Sequence, residues 1–228
     1  MKLNLPPIAM CTIGLLTFTG CMSWVRVPQT PHLTATPRPI DELVAILEAP
    51  DSQGDDLAYA AGELARWGPA AAPAVSGLRR ALRYPYSSDA RDAAAEALGA
   101  IGPSAAEAVP DLVEALEDDY WVIRAGAAYA LGSIGEPARC AVPTLASLLW
   151  DSSSHVQMYA VGAIDVIAGV DLVDEAHEPR PGWPARLQRG WSDSERQQII
   201  TNARNWWIEE GQYVDWSGET NLCDLPAP

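Results

Sequence analysis

The chain has 228 residues, with 30 acidic side chains against 15 basic ones and a formal net charge of −15. Every acid follows position 40, where only 12 arginines accompany the 30 carboxylates, so the part of the chain that can fold carries −18. A polyanion would be repelled by that field, and no Lys/Arg stripe interleaved with stacking aromatics offsets it, so nucleic acid is excluded as a partner. Arg79, Arg80 and Arg83, with Tyr84 and Tyr86 nearby, read as a solvated helix face.

Residues 1–20 read as an export signal: Lys2 supplies a positive charge, Ile8 to Phe18 is apolar but too short to span a membrane, and small residues lead to Cys21. The string Phe18-Thr19-Gly20-Cys21 resembles a bacterial lipobox, which implies cleavage before Cys21 and a lipid anchor on it. An ordinary cleaved signal, or a short anchor helix, is the other reading of the same residues. Residues 21–39, rich in Pro and Thr, form an expected tether; at roughly 3.1 Å per residue it could hold a domain up to about 55 Å from the anchor. Met22 follows Cys21 where Asp would mark inner-membrane retention, so the resemblance implies the periplasmic face of the outer membrane, or the outer cell surface in a single-membrane bacterium.

From position 40 the chain repeats itself. YAAGELARWG at Tyr59 to Gly68 returns as AAAEALGAIG at Ala93 to Gly102 and as GAAYALGSIG at Gly126 to Gly135, at spacings of 34 and 33 residues. Such a period marks units that bury their apolar faces only against their neighbours, which makes a solenoid. A second apolar string precedes each successor and carries Leu78 and Leu82, Leu112 and Leu116, or Leu145 and Leu149, an i, i+4 pair on one helix face; Leu43 and Leu47 form a weaker first copy. Gly68, Gly102 and Gly135 stand where a positive φ can end a helix, and Pro69, Pro103 and Pro137 follow where a new helix can begin. A divergent last copy, YAVGAIDVIA at Tyr159 to Ala168, has Ala168 where glycine would fall. The prediction is an all-α fold, an α-solenoid of about four helix pairs over residues 40–169.

The string Asp118 to Arg124, DDYWVIR, followed by AAYALGSIG, closely resembles phycobilisome-lyase-type HEAT repeats. The resemblance implies inter-repeat bonds between an Arg column, Arg91 and Arg124, and an Asp column, Asp118 and Asp151. Leu57 and Gln157 replace Arg in the first and last copies, so that ladder is expected to be incomplete. In this family the second helix of each pair normally lines the concave side. The outward columns expected there run Ala58, Asp92, Ala125, Met158; then Gly62, Glu96, Tyr129, Gly162; then Arg66, Ala100, Ser133, Val166.

Beyond the repeats, residues 170–192 form a Pro-rich acidic loop. Ser192-Asp193-Ser194-Glu195 then opens a helix to about Glu210, within a Trp-rich C-terminal cap over residues 193–216 and ahead of a tail at 217–228. Trp183, Trp191, Trp206, Trp207 and Trp216 either close the last hydrophobic face or form a docking patch. In an oxidising compartment Cys140 and Cys223 could pair, and Cys140 could equally be a small residue at a helix start.

Chemistry has few footholds. There is one His-Glu pair, His177-Glu178, whereas the HEAT-repeat enzyme deoxyhypusine hydroxylase builds its iron site from several, and no phosphate loop or GxSxG elbow occurs. No catalytic residue, metal or cofactor is expected, nor any small-molecule substrate. The function expected is a non-catalytic, membrane-tethered protein-interaction scaffold of the bacterial envelope. Its partner-binding residues are expected to be Asp92, Glu96, Tyr129 and Met158, with Trp121 as a second exposed contact. A structural envelope component without a discrete ligand, and a lyase- or hydroxylase-like accessory protein, are the alternatives.

Overall fold

A computed structural model of the protein describes residues 38–172 and 192–217. The signal and almost all of the tether, with Cys21, therefore lie outside the described residues, as do most of the 170–192 loop, Trp183, Trp191, the His177-Glu178 pair and the tail with Cys223. What is described is helical throughout, in four pairs and a cap: α1 (Ile40–Glu48) with α2 (Gly54–Trp67), α3 (Val75–Leu82) with α4 (Ser88–Ile101), α5 (Val109–Ala115) with α6 (Trp121–Ile134), α7 (Val142–Ser147) with α8 (Ser154–Ala168), then α9 (Asp193–Glu209).

Two rows result, and they pack differently. The second helices α2, α4, α6 and α8 lie against one another along the stack far more intimately than α1, α3, α5 and α7 do. Alanine is the reason: Ala94, Ala97, Ala127, Ala130, Ala160 and Ala163 are fully buried and let neighbouring axes approach closely, with Leu98, Leu131 and Ile164 filling the seam. The leucine pairs of the first row, from Leu43 and Leu47 to Leu145 and Leu149, are buried between the rows.

The connections are set by glycine. Gly68, Gly102 and Gly135 end α2, α4 and α6 with φ of +55°, +71° and +78° and ψ near −135°. A side chain at such angles is strongly disfavoured. The chain does not enter the next α-helix directly at the following proline, as its sequence implied; it first winds through 3₁₀ segments at Gly68–Ala74, Gly102–Ala108 and Glu136–Ala141. These pack Ala71, Ala74, Ala105, Ala108, Ala138 and Ala141 into the core. In the last copy the stop is displaced by one residue, Gly169 taking left-handed angles after Ala168.

α9 opens on a capping box. The Ser192 hydroxyl accepts from the Glu195 amide, and the Ser192 amide donates to the Glu195 carboxylate at 2.7 Å. The helix buries Ile200 and Ala203, and Arg204 donates to the Leu149 carbonyl through Nε at 2.9 Å and Nη2 at 2.6 Å, joining the cap to the end of the last first-row helix. Trp206 lies between Trp207 and Trp216, at centroid distances of 6.2 and 6.3 Å. Trp216 is buried, donates from Nε1 to the Gly211 carbonyl at 2.8 Å and lies under the Arg139 guanidinium at 4.9 Å. Gly211 is needed at that corner, since a Cβ there would stand 2.6 Å from the Trp207 ring. These described tryptophans thus close the end of the stack.

Candidate partner-binding groove

Charge along the stack is organised by arginine. Arg91, near the start of α4, donates from Nε to Asp118 Oδ2 at 2.8 Å and from Nη2 to Oδ1 at 3.3 Å, while Nη1 holds the Tyr84 carbonyl at 3.1 Å. One repeat on, Arg124 does the same to Asp151 at 2.8 and 3.0 Å and holds the Asp118 and Asp119 carbonyls. These are two-point guanidinium–carboxylate pairs, stronger than single contacts and fixed in direction. The aspartates also orient the next helix entry, Asp118 accepting from the Tyr120 amide at 2.9 Å and Asp151 from the Ser153 amide at 2.7 Å. At the ends the ladder stops: Leu57 is buried, and Gln157 keeps only a backbone bond, to the Asp151 carbonyl at 2.5 Å.

A second charged cluster was not read from the sequence. Asp111, on α5, is fully buried and paired with Arg79 of α3; its Oδ1 also lies 3.3 Å from Arg83 Nε, within ion-pair reach but without hydrogen-bond alignment. Arg80 donates to the Glu48 and Ala49 carbonyls at the end of α1, both at 3.1 Å. The arginines expected on a solvated face are therefore braces between neighbouring helices, because a buried carboxylate and open helix-end carbonyls lie within their reach.

The second row carries a different constellation. A groove of about 340 Å³ crosses α4, α6 and α8, lined by Asp92 and Glu96 from α4, by Trp121, Val122, Ala125, Gly126 and Tyr129 from α6, and by His155 and Tyr159 from α8. Trp121 is the first residue of α6 and 46% exposed; its ring lies 5.3 Å from the His155 ring. The Tyr129 ring fits over Gly99, where a Cβ would stand 2.6 Å from it. Among the described residues, no Lys or Arg lines the groove. Among the described residues neither Asp92 nor Glu96 makes an ion pair or a hydrogen bond. Partial burial, and after it the charges of Glu96 and Asp89, push the Asp92 carboxyl above the usual carboxylate range.

Asp92, Glu96, Trp121 and Tyr129 are thus brought together, whereas Met158 is not. Met158 is buried in the core, and Ala125, its counterpart on α6, is buried too. On α8 and α2 the residue one position later faces out: Tyr159 lines the groove in place of Met158, and Tyr59 is 47% exposed on α2. A one-residue offset is 100° of rotation on a helix, and the packing between repeats sets it. His155, Val122 and Tyr159 are not singled out by the sequence; their signal is position alone, Val122 following Trp121, His155 standing 33 residues beyond Val122, and Tyr159 33 residues beyond Gly126. Cys140, half-buried at the end of the third 3₁₀ segment, is disulfide-bonded, and Cys223, the partner expected for it, lies outside the described residues. Also among the described residues, no group of His, Cys, Asp and Glu could hold a metal ion.

The sequence pattern of the HEAT repeats matches residues 40–132 and again residues 75–165, together more than half of the chain. The chain belongs to the HEAT-repeat family. A comparison with curated proteins gives no match. Among solved structures, an engineered protein is similar at 27% identity and a TM-score of 0.52, over 73% of this chain and 47% of its own, so this chain spans about half its length. A designed armadillo repeat protein in complex with the peptide (KR)4 is similar at 19% identity and a TM-score of 0.51, over 77% of this chain and 92% of that one. The complex of CpcE and CpcF of phycocyanin lyase from a Nostoc species matches at 19% identity and a TM-score of 0.43, over 72% and 96%. The fold is an α-solenoid scaffold of HEAT repeats.

Proposed function

We propose that this protein is a non-catalytic protein-interaction scaffold, anchored by a lipid on Cys21 to the bacterial cell envelope and reaching its partner on the tether that follows. One observation carries the interaction reading: an open groove spans three repeats and gathers the exposed Trp121 and the partly exposed Tyr129 and Tyr159 beside carboxylates that have no ion-pair or hydrogen-bond partner among the described residues. Aromatic side chains bring large apolar area at low entropic cost, and Trp and Tyr are enriched where protein interfaces hold most of their energy. A peptide lies on the designed armadillo neighbour, a fold of the same general kind.

The envelope assignment is supported by the lipobox-like Phe18 to Cys21 and by the Pro/Thr-rich stretch after it. Cross-linking of the membrane-attached protein, followed by identification of the captured chains, tests the scaffold. A discrete partner is the expected result; capture of nothing but further copies of this chain would favour a structural envelope component instead. Cys21→Ser tests the anchor, with the expected outcome that the protein leaves the membrane fraction.

A further inference from the structure

We propose that the groove across α4, α6 and α8 receives a basic, extended segment of the partner protein, an arginine or lysine side chain entering between Asp92, Glu96 and the ring face of Trp121. This rests on the scaffold reading and names the chemistry of its partner. Three other carboxylates drawn in from solvent between repeats each meet a guanidinium: Asp111 has Arg79 and Arg83, Asp118 has Arg91, Asp151 has Arg124. Asp92 is partly buried between α4 and α6 with no such cation among the described residues, and the charges that act on its carboxyl, Glu96 and Asp89, are both negative. A half-buried carboxylate of that kind carries a desolvation cost that an incoming cation offsets.

The rest of the lining selects the same chemistry. An anion is refused by the two carboxylates, and a purely apolar segment would strand them. A cation gains from both, and the face of Trp or Tyr attracts it further. Arginine suits the site best, since its planar fork can bond a carboxylate while stacking on a ring.

Length separates a chain segment from a small cation. The groove crosses three helices of the second row; at the spacing of packed helices that is roughly 18 Å. An extended chain covers this with about five or six residues. A lone quaternary ammonium or a lipid headgroup would occupy one end only.

Calorimetric titration of the full chain in detergent tests this, with three probes: a blocked six-residue peptide alternating alanine and arginine, its glutamate counterpart, and tetramethylammonium. The arginine peptide binds saturably, and the affinity falls about tenfold in D92N/E96Q, and similarly in W121A, as the loss of a charge-assisted contact requires. E42Q/E107Q, which removes the same charge at exposed positions outside the groove, leaves affinity unchanged. The glutamate peptide does not bind. Absence of saturable binding overturns the proposal, as does equal weakening by E42Q/E107Q, or tetramethylammonium binding as tightly as the peptide. Cross-linking that captures only copies of this chain overturns the scaffold reading by itself. A discrete partner captured equally by wild type and D92N/E96Q overturns the groove alone.

Discussion

The Asp111 site between first-row helices and the groove on the second row treat a carboxylate in opposite ways. Between α3 and α5 the Asp111 side chain has no solvent exposure and two guanidinium groups beside it. Between α4 and α6, Asp92 is partly drawn in and has aromatic rings and another acid for neighbours. A stack of repeats must hold its units in register, and buried ion pairs do that with direction as well as attraction; but the same residue type left unpaired weakens the fold slightly and keeps a surface open to a ligand. Regularity belongs to the first region and selectivity to the second.

The largest effect should come from breaking the braced side of that contrast. Asp111→Ala leaves Arg79 and Arg83 facing each other across a buried gap, and loss of one member of a buried pair costs about 3 kcal/mol. Urea unfolding checks it, and a loss under about 1 kcal/mol would mean that solvent reaches the site and replaces the carboxylate. Arginine-peptide binding in the groove should be unaffected, since Asp111 does not line it.

A smaller effect sharpens the open side. In Gly99→Ala the new Cβ would stand 2.6 Å from the Tyr129 ring and 3.2 Å from the Ala130 Cα, so the ring must move and α4 and α6 separate slightly. Overpacking of this kind costs about 1–2 kcal/mol. Its distinguishing consequence is on binding, because the displaced ring no longer forms one wall of the groove. Equal affinity of G99A and wild type for the arginine peptide would remove Tyr129 from the site.

What the sequence disclosed follows the same division. The leucine pairs, alanine stripes and helix-ending glycines were readable because they recur with the period, and the period is itself a record of burial between repeats. Asp111 was not, because it stands where the neighbouring copies have Gly77 and Thr144, and an interaction made once leaves no column. Its trace was a lone carboxylate at a position otherwise small, one period beyond Gly77 and 32 residues after Arg79. The groove fell between these cases. Its α4 and α6 members were readable from their columns, but the facing of α8 was not, because a helix's rotation about its axis is set by what packs on it; Met158 and Tyr159 exchange places for that reason. The register of the 3₁₀ segments was likewise hidden, since alanine and proline suit either kind of turn.

The smallest effect, and the one with a sign to settle, concerns pH. Asp151 is held below the usual carboxylate range: burial acts to raise it, but the hydrogen bond from Arg124, the Ser153 amide and the Arg124 charge together outweigh that. Its folded state favours the ionised form, so its contribution is present above the unfolded-chain pKa and lost as pH falls through the lower folded value. Asp92 is displaced upward by burial, then by Glu96 and Asp89, so the folded protein binds its proton more readily than the unfolded chain does. Stability from that group therefore falls as pH rises through the interval between the two values, and a small penalty persists at neutral pH. Asp92→Asn should then be slightly more stable than wild type at pH 7, with the advantage vanishing on acidification through the raised carboxyl, while Asp151→Asn should be less stable at pH 7 and converge with wild type only at still lower pH. Urea midpoints for the three proteins between pH 3 and pH 7 decide it. An Asp92→Asn protein weaker than wild type at neutral pH would show that the carboxylate already has a partner within the fold, and the groove would then have no unmet charge with which to draw in a basic segment.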